Sequence, residues 1–172
     1  MLGVRHKGDF YPTPHTVIEA LLRHLTLEDT VWEPCAGDGR LVVALRGAGA
    51  TVISHDIATG HDFFEVKAAP ATMVVTNPPF RFIRQFIDHA FGIGVERMAL
   101  ICPERLWACK KGHDQWGRHR PSLWANLDWR EDYLQKGGSP DRALAAAVWD
   151  TPHSPECRYE VWAKRGFDEP TL

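Results

Sequence analysis

The sequence predicts an α/β domain with a mainly parallel sheet flanked by helices, and three observations predict it. Thr30-Val31-Trp32-Glu33-Pro34 reads as a strand, Cys35-Ala36-Gly37-Asp38-Gly39-Arg40 as a glycine loop, and Leu41, Val42, Ala44, Leu45 and Ala48 as a helix; Ala50 to Ser54 is a second strand running into His55-Asp56. That succession is the unit from which parallel sheets are wound. Met73-Val74-Val75 and Arg97-Met98-Ala99-Leu100-Ile101-Cys102 are short apolar runs of the kind that lie buried on both faces of such a sheet. Finally, 172 residues make about one domain, long enough for a core and too short for two ordinary units.

The remaining elements follow in order. After the turn-rich Gly8-Asp9-Phe10-Tyr11-Pro12, Val17, Ile18, Leu21, Leu22 and Leu25 recur at helical spacing, with Thr13 as N-cap and Pro14 at the first helical position. Asp62-Phe63-Phe64 reads as a short strand or a loop. Phe82, Ile83, Phe86, Ile87, Ala90 and Phe91 form one helical stripe opposite Arg84, Gln85 and Asp88. Residues 103–140 are polar and weakly periodic. Ala143 to Trp149 and Arg158 to Lys164 are strand candidates joined by the turn-forming Asp150-Thr151-Pro152-His153-Ser154-Pro155, so they are expected to form an antiparallel pair.

Composition excludes several functions. No stretch approaches the ~20 apolar residues of a membrane span, and the polar, basic N-terminus lacks the apolar core of a secretory signal; a cytoplasmic protein is expected. Cys35, Cys102, Cys109 and Cys157 are scattered with no C-x-x-C pair, so reduced thiols and no metal site are expected. A net charge of -2 argues against nonspecific coating of nucleic acid, though not against a local basic surface.

Two loops carry the chemistry. Thr76-Asn77-Pro78-Pro79-Phe80 ends a buried strand with an amide, two prolines and an aromatic. The prolines donate no N–H and hold the backbone extended, so carbonyls and the Asn77 side chain can be aimed outward in a fixed geometry. Alone, the tetrapeptide is equally a turn with an Asx cap. In Glu33-Pro34-Cys35-Ala36-Gly37-Asp38-Gly39 the third glycine of a dinucleotide loop is missing and Glu33 would repel a phosphate, so a cationic, phosphate-free nucleoside cofactor fits better. Asp56 stands where an acid accepts hydrogen bonds from ribose hydroxyls. Asp62-Phe63 adds an acceptor and an apolar face for an adenine ring. Simple capping roles would also explain Glu33, Asp56 and Thr13.

The order Tyr11-Pro12-Thr13-Pro14, Glu33 to Gly39, Asp56, Asp62-Phe63, Asn77-Pro78-Pro79-Phe80 resembles the class I S-adenosylmethionine-dependent methyltransferases, and among them the DNA N6-adenine methyltransferases of small phage-type or orphan kind. The resemblance covers residues 8–103 and recurs weakly in the last two strands. It implies a single Rossmann-like domain over residues 1–172 with a mainly parallel seven-stranded sheet in the order 3-2-1-4-5-7-6. Residues 8–103 would be the cofactor-binding and catalytic half, 104–140 an insertion after strand 5, and 141–165 closing antiparallel strands. It implies S-adenosyl-L-methionine held by Tyr11, Thr13, Glu33, Pro34, Cys35, Ala36, Gly37, Gly39, Asp56, Ile57, Asp62, Phe63 and Asn77. Asn77, Pro78, Pro79 and Phe80 would handle the acceptor amine.

The insertion holds Trp107, Trp116, Trp124 and Trp129 among Arg105, Lys110, Lys111, Arg118, Arg120 and Arg130. Aromatics interleaved with cations can stack bases and hold phosphates, so Arg105, Trp107, Lys110, Lys111, Trp116, Arg118 and Arg120 are candidate substrate contacts. The bland reading is a covering segment whose tryptophans pack on the sheet. The resemblance implies a nucleic-acid partner, DNA first; with only the insertion available in place of a sizeable recognition domain, strong sequence specificity is expected only if a partner protein supplies target recognition. Methylation of an RNA base, at adenine N6 or guanine N2, stays open. So do methylation of a glutamine amide, where Tyr more often replaces Phe80, and a non-catalytic binding subunit.

Overall fold

The computed structural model of the chain describes residues 12–131 and 142–164. Seven strands form one sheet: β1 (Thr30–Glu33), β2 (Thr51–Ser54), β3 (Met73–Thr76), β4 (Arg97–Pro103), β5 (Leu123–Glu131), β6 (Arg142–Trp149) and β7 (Arg158–Trp162), in the order β2-β1-β3-β4-β6-β5-β7. All pairs are parallel except those of β6, which runs against β4 and β5. In the numbering of the expected order, β2 to β5 read 2-1-4-5-7-6. The chain between β2 and β3 makes two short 3-10 turns at Ile57–Thr59 and Phe63–Glu65, and the seventh strand is β7 at the far edge.

Side-chain alternation along each strand feeds two cores. Val31, Val75, Ala99, Ile101, Leu144, Ala146 and Val148 face α1 (His15–His24) and α2 (Arg40–Gly47), which contribute Val17, Ile18, Leu21, Leu41, Val42 and Leu45. Trp32, Val74, Met98, Leu100, Ala145, Ala147 and Trp149 face the stripe Ile83, Phe86, Ile87 and Ala90 of α3 (Ile83–Gly92). Both faces are therefore covered, which is why these strands read as continuous apolar runs. Each fully buried large side chain, such as Phe86 or Leu21, contributes about 1.5–3 kcal/mol.

Three expectations are corrected. Residues 104–140 are not irregular throughout: they include α4 (Lys110–Arg118) and the nine-residue β5. Leu123, Ala125, Leu127 and Trp129 of β5 alternate toward one core, a period-two signal masked by the apolar Trp124 between them, which turns to the other core. Because β5 occupies the free edge of β6, β7 cannot pair with β6 as an antiparallel partner and lies parallel beside β5 instead. Thr13 is not a helix cap: Pro14 takes that position, accepting from Val17 N and Ile18 N at 3.1 Å.

Candidate active site

Parallel strands end on one side of the sheet, so the carboxyl ends of β1, β2, β3 and β4 bring their loops together there. The glycine loop after β1 turns through two left-handed positions, Gly37 at φ 57° and Gly39 at φ 82°, and no atom lies near the site of a Cβ on Gly39. Backbone conformation, not space, demands glycine there. Gly39 is the residue before α2, whose N-terminus thus points at the loop.

Two buried carboxyls brace the loop. Glu33 closes β1 at 1% exposure, and its Oε1 accepts from Cys35 N at 2.8 Å and from Thr76 Oγ1 on β3. Burial pushes the Glu33 carboxyl up to about 8, against the two hydrogen bonds that favour its charge, with the neighbouring Asp56 adding to the rise. Asp56, 4% exposed, accepts from Gly37 N through Oδ2 and from Ala58 N through Oδ1, both at 2.8 Å. Its carboxylate therefore ties the end of β2 to the glycine loop.

Asn77 follows β3 directly. Its Nδ2 donates to Thr13 Oγ1 at 3.2 Å, across 64 residues of chain, so Oδ1 is the end of the amide turned away from Thr13. Thr13 is buried, and its carbonyl also accepts from Arg40 Nη1 at 3.4 Å. Arg40 in turn pairs with Asp38 at 2.7 Å. Pro79 O accepts from Phe82 N at 3.0 Å, closing the 3-10 turn Phe80–Phe82 that fixes Phe80 before α3 starts.

One cavity gathers these groups. Thr13, Glu33, Cys35, Ala36 and Gly37 line it on one side and Asn77, Pro78, Pro79 and Phe80 on the other. Pro12, Asp38, Arg40 and Leu41 complete the walls and were not among the expected site residues. Their signal was position alone, beside the first proline turn and across the loop-to-helix junction. Tyr11 lies outside the described residues. Pro34, Gly39, Asp56 and Ile57 are not part of that lining. Asp62 caps a 3-10 turn, accepting from Phe64 N at 2.9 Å. Phe63 turns its ring into the core, stacked on Phe86 with centroids 3.9 Å apart and tilted against Trp32 at 5.4 Å. That packing leaves the adenine face expected of it inside the protein.

The candidate contacts of 104–140 separate. Trp107 packs against Trp116, Trp124 and Trp149, with ring centroids 5.4, 5.8 and 6.4 Å away. Lys110 pairs with Asp114 at 3.2 Å, Arg118 with Asp88 at 3.1 Å, and Arg120 donates to Ser154 O at 2.8 Å. Lys111 lines a separate groove with Arg81 and Arg84. Arg105 shares a groove with Phe80. Among the described residues no helix is long and apolar enough to cross a membrane.

No protein-family model matches the chain, and no curated protein matches it. Solved structures do. The 23S rRNA methyltransferase ErmE is 15% identical over 84% of this chain and 71% of its own, with a TM-score of 0.59. A Listeria monocytogenes protein classed with the class I S-adenosylmethionine-dependent methyltransferases is 11% identical over 93% and 68%, with a TM-score of 0.56. The M protein of the type I restriction enzyme EcoKI is 14% identical over 89% of this chain and 48% of its own, at 0.54. At such identities the likeness speaks for architecture, and the chain has the fold of the class I S-adenosylmethionine-dependent methyltransferases.

Proposed function

We propose that the chain is an S-adenosylmethionine-dependent N-methyltransferase that methylates the exocyclic amine of a nucleic-acid base, adenine N6 in DNA. The observation that carries this reading is that Glu33 and the Asn77-Pro78-Pro79-Phe80 corner wall the same cavity. A buried carboxyl and a glycine loop suit a cationic, phosphate-free ligand, because Glu33 can ionise to balance a cation whereas beside a pyrophosphate it would have to stay protonated. Two similar structures are an rRNA methyltransferase and the M protein of a restriction enzyme, which agrees with a nucleic-acid acceptor.

When bound, S-adenosylmethionine supplies an electrophilic methyl group on a sulfonium. Glu33, ionised by the arriving positive charge, balances that charge. Gly37 would let the backbone approach closely, with Thr13, Cys35 and Ala36 completing that wall, while Asp56 acts from outside the lining by holding the loop at Gly37. The exocyclic nitrogen of adenine is a poor nucleophile because its lone pair is delocalised into the ring. Asn77 Oδ1 and Pro78 O each accept one of its N–H groups, which draws the nitrogen toward tetrahedral geometry and frees the lone pair. No general base acts before transfer; orientation and two aimed dipoles supply the acceleration. Phe80 stacks on the base, which leaves its helix to reach the cavity.

The test is transfer of labelled methyl groups to duplex DNA, single-stranded DNA, RNA and protein, followed by nucleoside analysis. Label recovered as N6-methyladenine from DNA is expected. Label confined to RNA or protein overturns the choice of substrate, and label in none of them overturns the assignment as an enzyme.

A further inference from the structure

Phe80 lines the Asn77 cavity and also a second, open groove. Strand register builds the second groove. Pro103, the last residue of β4, stands opposite Leu144 of β6, and Ala143 stands opposite Arg130 of β5. Glu104 and Arg105 lie in the turn directly after β4, so an arginine from that turn and one from β5 line the same groove as Phe80, Pro103, Ala143 and Leu144. Leu144 is 1% exposed, whereas both arginines are exposed.

These two arginines differ from the other cations of the segment. Lys110, Arg118 and Arg120 are each taken by a carboxylate or a carbonyl. Among the described residues no carboxylate or carbonyl takes the guanidinium of Arg105 or of Arg130. The acid of the groove, Glu104, accepts from Asn126 Nδ2 at 3.1 Å. Two planar forks with no partner among the described residues, beside the one described carboxylate of the groove lining, favour an anion, and the fork geometry matches two oxygens on one phosphorus. Phe80 supplies the adjoining face for a planar ring. An aromatic wall followed by paired guanidiniums has the chemistry of a nucleotide unit, base first and phosphate next. A peptide bearing a glutamine side chain would bring no fixed anion to the forks.

We propose that Arg105 and Arg130 form a clamp for the phosphodiester next to the acceptor base of a polynucleotide, with Phe80 as the wall between base and backbone. The clamp rests on the reading of the Asn77 cavity as a base-methylating site, and it names the side from which the strand enters. Sequence reasoning named Arg130 among the cations of the segment but not as a contact, because its placement depends on β5 pairing with β6.

The test is fluorescence anisotropy of labelled single-stranded DNA, duplex DNA and RNA oligonucleotides, without cofactor, across a range of salt. Each phosphate neutralised contributes about 0.7 to the salt slope for a single strand and about 0.9 for B-DNA. Arg105→Gln and Arg130→Gln are each expected to lower the slope by about that much and to weaken binding about 3–10-fold near 0.1 M salt. Arg130→Lys keeps the charge and should keep most of the slope, and Arg23→Gln on α1 is the control for net charge. The three oligonucleotides separate DNA from RNA as the source of the phosphate. Slopes unchanged in both Gln variants, or no oligonucleotide bound by the wild type, overturn the clamp. If the slopes fall as expected and no base is methylated, the clamp stands and the catalytic reading of Asn77 fails; if adenine is methylated with slopes unchanged, the reverse holds.

Discussion

The corner between the glycine loop and Asn77 and the segment from Glu104 to Arg130 both looked functional, and they fold on different terms. In the first, polar side chains reach across the chain to one another: Asn77 to Thr13, Thr76 to Glu33, Asp56 to Gly37. In the second, most of the paired polar side chains lie on the surface, some with partners as far along the chain as Asp88 is from Arg118, while Trp107, Trp124 and Trp149 pack together against the core. What marks the site is that its paired polar groups Thr13, Glu33 and Asn77 wall one cavity, and not how far apart in sequence the partners lie. Richness in Trp, Lys and Arg marks a segment without saying which of its side chains are available.

Substitutions can break or sharpen that contrast. The largest effect is expected for Asn77→Ala, which removes an acceptor for the amine: kcat should fall at least about 100-fold, as for loss of one preorganised transition-state partner, with the cofactor Kd by calorimetry changing little. Undiminished turnover would remove Asn77 from the chemistry. Next, Asp56→Ala leaves Gly37 N–H and Ala58 N–H without their acceptor; about 2–3 kcal/mol of stability should be lost in chemical denaturation, together with a weaker cofactor affinity. An unchanged cofactor Kd would show that the glycine loop holds its shape without β2. The smallest effect belongs to the second region. Arg118→Gln breaks an exposed ion pair with Asp88, so stability should change by about 0.5 kcal/mol or less and methyl transfer by less than about twofold in rate. A tenfold loss would return α4 to the substrate surface.

What the sequence made legible follows from how local each cause is. The glycine loop, the acid at the end of β2 and the tetrapeptide after β3 were legible because backbone conformation and chemical type act within a few residues. The hydrogen bond from Asn77 to Thr13 has no expression in spacing, and Thr13 read as a cap for that reason. Phe63 was legible as aromatic but not as core, because its packing partners Trp32 and Phe86 come from β1 and α3. Helix α4 carries two glycines and buries only Gly112 and Gln115, so no apolar stripe announced it. The partners that take up Lys110 and Arg118, Asp114 and Asp88, sit on α4 itself and on α3, and composition cannot pair them.

The central claim is that the cavity between the two loops receives a cation beside Glu33. In the free protein the Glu33 carboxyl is raised from its ordinary 4.5 to about 8, so folding takes up a proton between those values and stability falls as pH rises through that window. At pH 7 Glu33 is therefore mostly protonated, and a bound sulfonium or ammonium should expel that proton. Calorimetric titration of S-adenosylmethionine at pH 7 in buffers of different ionisation enthalpy measures this directly. Release of a large part of one proton per site is predicted, abolished in Glu33→Gln together with most of the affinity. Tight binding without proton release, or identical release in Glu33→Gln, would contradict it.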